Sequence, residues 1–261
     1  MHRDDTGWTA GSPCTQLDNG TKLDRVRHAY WAVVLYPEAG EATAVFHSAR
    51  SARPGTGVGF DPEDAARVAL RRARSHARRY CAANRTNRFV TLTFGAEKCW
   101  DPVELRPLVR GFFRRLRADL GVAFPYIWVS ELHKKGDYHV HFAVNRFVHR
   151  STIEAAWGRG FIKIRLHGDL PSGRTALLEA RRTAGYMAKY MTKSSTEVAA
   201  GLHRYEVAQG FQPRRETVAG RSLAEVVGWA SQRMGHWPDF EKASSEWERY
   251  AGPPALFMSW T

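Results

Sequence analysis

Two groups of side chains in the 261-residue chain have the types and spacing to work on a phosphodiester. The first is Tyr138-His139-Val140-His141-Phe142. Alternate residues of a strand share a face, so His139 and His141 would project together, about 7 Å apart, and can share a divalent ion. Glu131 stands eight residues before His139, one hairpin arm away. Any register pairing odd positions with odd positions brings Glu131 to the histidine face, and an even shift sends it to the other. His133 has the same parity and is a rival third ligand. Two histidines and a carboxylate, with the remaining positions open to water and substrate oxygens, suit Mg or Mn as readily as Zn. A structural zinc site would need a closed set of four ligands, and none is recognisable. His-x-His alone is an ordinary strand pattern and Glu131 alone an ordinary surface charge; the metal reading rests on their combination.

The second group is Gly185-Tyr186-Met187-Ala188-Lys189-Tyr190-Met191-Thr192-Lys193, a tandem of Tyr-x-x-Lys. On a helix Tyr186 and Tyr190 share one face, as do Lys189 and Lys193. Taken alone, the tyrosines read as amphipathic packing and the lysines as solvated charge. Beside a metal site on a basic protein they read differently. A phenol of pKa near 10 is a poor nucleophile at neutral pH, but a neighbouring ammonium and a metal-polarised phosphate enable attack by phenolate, giving a covalent phosphotyrosine.

Composition agrees with a phosphate-bearing partner. Lys and Arg number 39 against 26 Asp and Glu, a formal net charge of +13. With 43% apolar and 12% aromatic residues the chain is globular, so the charge must sit on a folded surface, where it favours polyanions: nucleic acid first, anionic membrane second. Cys14, Cys81 and Cys99 are odd in number and form no CxxC pair, which argues against a disulfide scaffold or a zinc finger and fits a reducing cytoplasm. No apolar run is long enough to span a membrane, the first residues lack the apolar core of a signal peptide, and no P-loop signature occurs.

Elements must position these groups. Residues 25–50 read as a hairpin, with HAYWAVVLY and ATAVFHS joined by the turn PEAGE. Pro62, Glu63 and Asp64 open a helix to about Ala83 that carries six arginines, either a solvated face or a contact with DNA phosphates. NRFVTLTF (87–94) reads as a strand, and Asp101-Pro102 starts a second basic helix, interrupted early by Pro107 and stopped by Gly121. Strands at 124–132 and 138–144 form a hairpin over HKKGD; a short helix with Ser151 as N-cap, a strand at 161–167 and a long helix over 174–195 follow. The rest alternates short extended pieces with a helix near 222–233. This order predicts an α+β domain with a central antiparallel sheet and flanking helices. Trp229, Trp237, Trp247 and Trp260 read first as a C-terminal core and second as platforms for single-stranded bases.

TLTF (91–94), a Glu followed by HVHF (139–142), and YMAKYMTK (186–193), in that order, resemble the three motifs of the HUH endonuclease superfamily, in its branch of rolling-circle replication initiators of plasmids and phages. The likeness spans about residues 87–195, with a weaker likeness to plasmid initiators in HRYEVAQGFQP (203–213). Conjugative relaxases of the superfamily place the tyrosine before the histidine motif; here it follows. The resemblance implies a sheet of ferredoxin-like topology presenting the His pair, with the tyrosine helix over it. It implies His139 and His141 as metal ligands, Glu131 as the third, and Mg or Mn as the ion. It further implies a metal-dependent tyrosine endonuclease that nicks single-stranded origin DNA, leaves a free 3′-OH and a 5′-phosphotyrosine, and later rejoins strands. Single-tyrosine initiators map the nucleophile onto Tyr190 with Lys193 behind it; phage-type initiators use two tyrosines at the spacing of Tyr186 and Tyr190, with Lys189 and Lys193 neutralising charge.

On this reading residues 1–86 form an extension with the hairpin and basic helix, 87–195 the catalytic core, and 196–261 an accessory region packed on it. Arg71, Arg78, Arg114 and Arg115 are expected to hold phosphates, which positions DNA without reading sequence. A host helicase and polymerase are expected partners, a membrane is not, and the setting is cytoplasmic. A transposase with the same chemistry, a non-catalytic DNA-binding protein and a metal hydrolase acting through water are the competing functions.

Overall fold

A computed structural model describes residues 15–16, 29–48, 62–166, 175–193, 205–247, 250 and 252–261. The chain divides into two compact units, one of residues 57–214 with Thr261, the other of residues 1–56 and 215–260.

The larger unit holds α1 (Pro62–Ala83), β4 (Arg88–Phe94), α2 (Pro102–Leu120), β5 (Tyr126–Leu132), β6 (Tyr138–Val144), α3 (Arg150–Trp157), β7 (Gly160–Leu166), α4 (Ala176–Lys193) and β8 (Glu206–Val207), the numbering leaving β1 to β3 for the other unit. Its five strands lie in the order β7, β4, β6, β5, β8, every neighbouring pair antiparallel. The run β4, α2, β5, β6, α3, β7 with that spatial order is the ferredoxin-like βαββαβ arrangement. The fold is α+β.

Strand periodicity divides the sheet's residues between two cores. Even positions Val90, Leu92, Phe94, Val140, Phe142 and Val144 pack with Phe112, Phe113 and Leu116 of α2 and Ile153 and Trp157 of α3. Odd positions Phe89, Ile127, Val129 and Ala143 pack with Ala77, Tyr80 and Cys81 of α1 and Ala184, Met187 and Met191 of α4. Each helix therefore has a fixed side of the sheet, and α4, which carries the tyrosines, lies on the side of the odd-numbered histidines.

Local signals account for the helix ends. Asp101 caps α2 by accepting from the Val103 amide at 2.7 Å, and Gly121 ends it at φ +63°. Pro107 does not interrupt α2, contrary to the sequence expectation: it sits in the second turn, and Val103, whose carbonyl it leaves unbonded, is exposed to water. The cap of α3 is His149, accepting from the Ser151 amide, so Ser151 lies inside the helix. Gly160 opens β7 at φ +149°, and a Cβ there would lie 2.3 Å from the Thr93 carbonyl oxygen.

The smaller unit holds β1 (Thr15–Gln16), β2 (Tyr30–Tyr36), β3 (Glu41–His47), β9 (Glu216–Gly220), α5 (Leu223–Met234), β10 (Phe240–Ala243) and β11 (Ala255–Ser259). The expected hairpin is β2 and β3, and its sheet runs β1, β9, β2, β3, β11, β10. Val33, Leu35, Ala42, Ala44, Val218 and Met258 pack with Val226 and Ala230 of α5. Trp260 is a core residue at 1% exposure and Trp229 packs against the same cluster, whereas Trp237 is 61% exposed; Trp247 stands edge-on to Tyr250. Among the described residues no helix is long and apolar enough to cross a membrane.

Candidate metal and tyrosine site

The hairpin of β5 and β6 pairs Glu131 with His139 and Val129 with His141. Odd faces odd, so Glu131, His139 and His141 share one face. The turn is closed by the His133 amide on the Asp137 carbonyl and the Gly136 amide on the His133 carbonyl, each at 2.8 Å, with Gly136 at φ +94°.

His141 is held at both nitrogens. Its Nε2 lies 2.7 Å from Glu131 Oε2 and its Nδ1 lies 3.0 Å from Thr91 Oγ1. The threonine hydroxyl can accept from a protonated Nδ1 or donate to a bare one, so it serves either tautomer and leaves Nε2 free to change partner. Thr91 reaches His141 because β4 and β6 pair those two residues directly.

His139 stands between Glu131 and a second group at the hairpin end. The Asp137 carboxylate, on a residue only 3% exposed, faces His139 Nε2, His133 Nδ1 and Lys98 Nζ, each at 3.6 Å. The His133 and His139 rings are stacked with centroids 5.0 Å apart. Ligand atoms of His133, Asp137 and His139 all lie within 4.8 Å of one another, and this group could hold a metal ion. Burial lowers the pKa of His139, and His133 and His141 add to this, while Asp137 and Glu131 oppose it. A neutral imidazole is the form that ligates metal.

Tyr190 is brought to His141. Its ring stacks on the imidazole with centroids 3.7 Å apart and on Phe89 at 5.7 Å, and Phe89 in turn stacks on His141 at 5.5 Å. Tyr186, one turn earlier, meets Phe89 at 6.1 Å with planes tilted by 47°. Met187 and Met191, between and beyond the tyrosines, are fully buried and hold α4 on the sheet. Arg74 of α1 bonds the Thr192 hydroxyl near the end of α4. Lys189 is exposed, and the side chain of Lys193 lies outside the described residues.

The four arginines expected to grip DNA are divided. Arg71 and Arg78 belong to α1, on the side of the sheet that carries the histidines. Arg114 and Arg115 belong to α2, whose apolar face covers the opposite side, and Arg115 Nε donates to the Ala156 carbonyl at 2.8 Å. Thr91, Asp137 and Phe89 were not among the residues singled out from sequence. For Thr91 the available signal was its shared parity with the histidines inside TLTF; for Asp137 it was its place in Gly136-Asp137-Tyr138-His139.

Residues 87–195, from the residue before β4 to two residues past α4, match the family of the replication-associated protein ORF2. No curated protein and no solved structure was found to match the chain.

Proposed function

With residues 87–195 matching a replication-associated family, we propose that the chain initiates rolling-circle replication by nicking single-stranded origin DNA and later rejoining strands. The observation that carries this reading is the stack of Tyr190 on His141, the histidine that also contacts Glu131. A nucleophile, a metal-ligand type and a carboxylate converge on one sheet face inside the matched segment.

His139 and His141, with Glu131, would hold a divalent ion, Mg or Mn; Asp137 and His133 flank His139 on the other side. The donor set of imidazole nitrogens and carboxylate oxygens suits such an ion, and the depressed pKa of His139 keeps its lone pair available. Bound there, the ion supplies Lewis-acid polarisation of a nonbridging phosphate oxygen. Tyr190 Oη attacks phosphorus, an O–P bond forms, the P–O3′ bond breaks, the phenolic proton passes to solvent and the departing 3′ oxygen takes one up. The 3′-OH then primes synthesis. Tyr186 is the second nucleophile, acting when the displaced strand is closed, and Lys189 and Lys193 offset phosphate charge. Unwinding and synthesis fall to a host helicase and polymerase. The family match favours replication over transposition by the same chemistry.

Incubation of the full chain with single-stranded origin oligonucleotides and Mn, followed by a denaturing gel and peptide mapping, tests the reading. A chelator-sensitive DNA adduct on Tyr190 or Tyr186 is expected. Cleavage that survives in a Tyr186→Phe, Tyr190→Phe double variant would overturn the tyrosine mechanism in favour of hydrolysis by water.

A further inference from the structure

On the sheet face of the histidines, the pairing of β7, β4, β6 and β5 sets out three rows of side chains. The first runs Phe161, Thr93, His139, Glu131; the second Lys163, Thr91, His141, Val129; the third Arg165, Phe89, Ala143, Ile127. Helices α1 and α4 pack over the half of this face formed by β5 and β6, with Phe89 at their margin. The other half is open: Phe161 is 72% exposed, and Lys163 and Arg165 are exposed beside it. Strand β7 contains no acidic residue, and among the described residues neither Lys163 nor Arg165 forms an ion pair.

Cations on an edge strand also serve to discourage edge-to-edge pairing. Phe161 is inconsistent with that role alone, because a large exposed aromatic ring invites association. A row of two cations led by an aromatic ring is instead the pattern of a single-strand track: the cations follow the backbone and the ring offers a stacking face to any base. The distance suits the site. Two strand spacings, roughly 10 Å, separate Lys163 from His141 along one row.

We propose that this open half of the face, Phe161, Lys163 and Arg165 on β7, binds the single-stranded DNA flanking the scissile phosphate, the two cations contacting phosphates and Phe161 stacking one base. The inference rests on the nicking function proposed above and adds where the substrate strand lies. These residues are positioning residues and take no part in bond making.

The test is equilibrium binding of a fluorescein-labelled dT20 to the full chain in EDTA, followed by anisotropy at several salt concentrations, so that binding is read without cleavage. For Lys163→Gln, Arg165→Gln the slope of log K against log salt should fall in magnitude by about 1.4, two phosphate contacts at about 0.7 each. Phe161→Ala should weaken dT20 binding by about tenfold and leave binding to a duplex of equal length unchanged. Arg114→Gln, on the opposite side of the sheet, should change neither. Unchanged dT20 affinity and salt slope in the β7 variants, with Tyr adducts still forming in Mn, would overturn the track and leave the nicking reading standing. Weakened binding in the β7 variants in a protein that forms no adduct would uphold the track and remove the nicking reading. Equal loss of single-strand and duplex binding in Phe161→Ala would overturn the stacking role. Near-ultraviolet circular dichroism matching the parent verifies that each variant is folded.

Discussion

The phenol ring of Tyr190 lies against the imidazole of His141, centroids 3.7 Å apart and planes inclined by 21°. Tyr186 has its ring contact with Phe89 instead, at a steeper tilt. The two tyrosines thus occupy unequal places although they share a helix face and a motif. The stack belongs to the ring and the chemistry to the hydroxyl, so replacing Tyr by Phe separates packing from reaction.

Tyr190→Phe is therefore expected to abolish first-strand nicking, by on the order of 10⁴-fold or more, as loss of a nucleophile does, while the melting temperature stays near that of the parent. Tyr186→Phe is expected to keep nicking and lose rejoining. Adduct formation and closure of a pre-nicked oligonucleotide, measured separately, check both; a Tyr190→Phe protein that nicks at the parent rate would exchange the two roles or end the assignment.

Thr91 meets His141 Nδ1 at 3.0 Å and so fixes which nitrogen the ring offers to Glu131 and to an ion. Loss of such a support on a ligating histidine costs about 10–100-fold in metal affinity. Thr91→Val should weaken Mn binding by that factor, and Thr91→Ser should restore it. Titration of free Mn by electron paramagnetic resonance reads the affinity directly. A valine variant that binds Mn like the parent would leave Thr91 as packing alone.

The histidine face was legible because the period of a strand is two: once 138–144 is a strand, His139 and His141 must share a face, and the hairpin's parity decides Glu131. Thr91 was not legible in the same way. Its contact with His141 spans 50 positions and depends on which strands are neighbours, which local periodicity does not encode. The smaller unit's sheet escaped for the same reason, since β2 pairs with β9 and β3 with β11 across most of the chain length. Helix caps failed differently: at α3 a histidine took the position that Ser151 favours by type, and at α2 solvent exposure of Val103 let Pro107 stay inside the helix.

Two carboxylates compete for His139. Glu131 is its direct cross-strand partner, whereas Asp137 also faces the Lys98 ammonium, which offsets its charge. Glu131→Gln is accordingly expected to weaken Mn binding at least tenfold and to reduce adduct formation in step, and Asp137→Asn to have the smaller effect on both. A larger loss in Asp137→Asn would move the ion to His133, Asp137 and His139.

Gly160 is a steric requirement as well as a conformational one. At φ +149° a Cβ would lie 2.3 Å from Thr93 O and 2.4 Å from Gly95 N, all backbone, so β7 must move away from β4 to admit it. Gly121, at φ +63°, has nothing within 4 Å of such a Cβ. Both substitutions to Ala meet backbone strain of about 1–3 kcal/mol, and only Gly160→Ala adds a clash. Urea unfolding should find Gly160→Ala the more destabilised of the two; equal losses would refute the close approach of β7 to β4.

Burial of Cys81 makes the fold sensitive to alkali. The thiol is fully buried and pushed up to about 12 from an ordinary 9.0, burial being the main cause, partly offset by a hydrogen bond with Thr86. Between those values the unfolded chain has lost the proton that the native protein keeps, so the native state binds more protons and stability must fall as pH rises. The contribution is intact below pH 9 and is lost at up to about 1.4 kcal/mol per pH unit above it. Tyr80, raised in the same direction by burial, adds a loss that begins only above about pH 10. Cys81→Ala should lower stability at pH 7 through the lost packing, yet show a shallower decline between pH 9 and 10, where the thiol acts before the phenol. Urea midpoints at pH 7, 9 and 10 for the parent and the variant read this difference, and parallel declines would mean that the thiol ionises in the native protein as readily as in the unfolded chain.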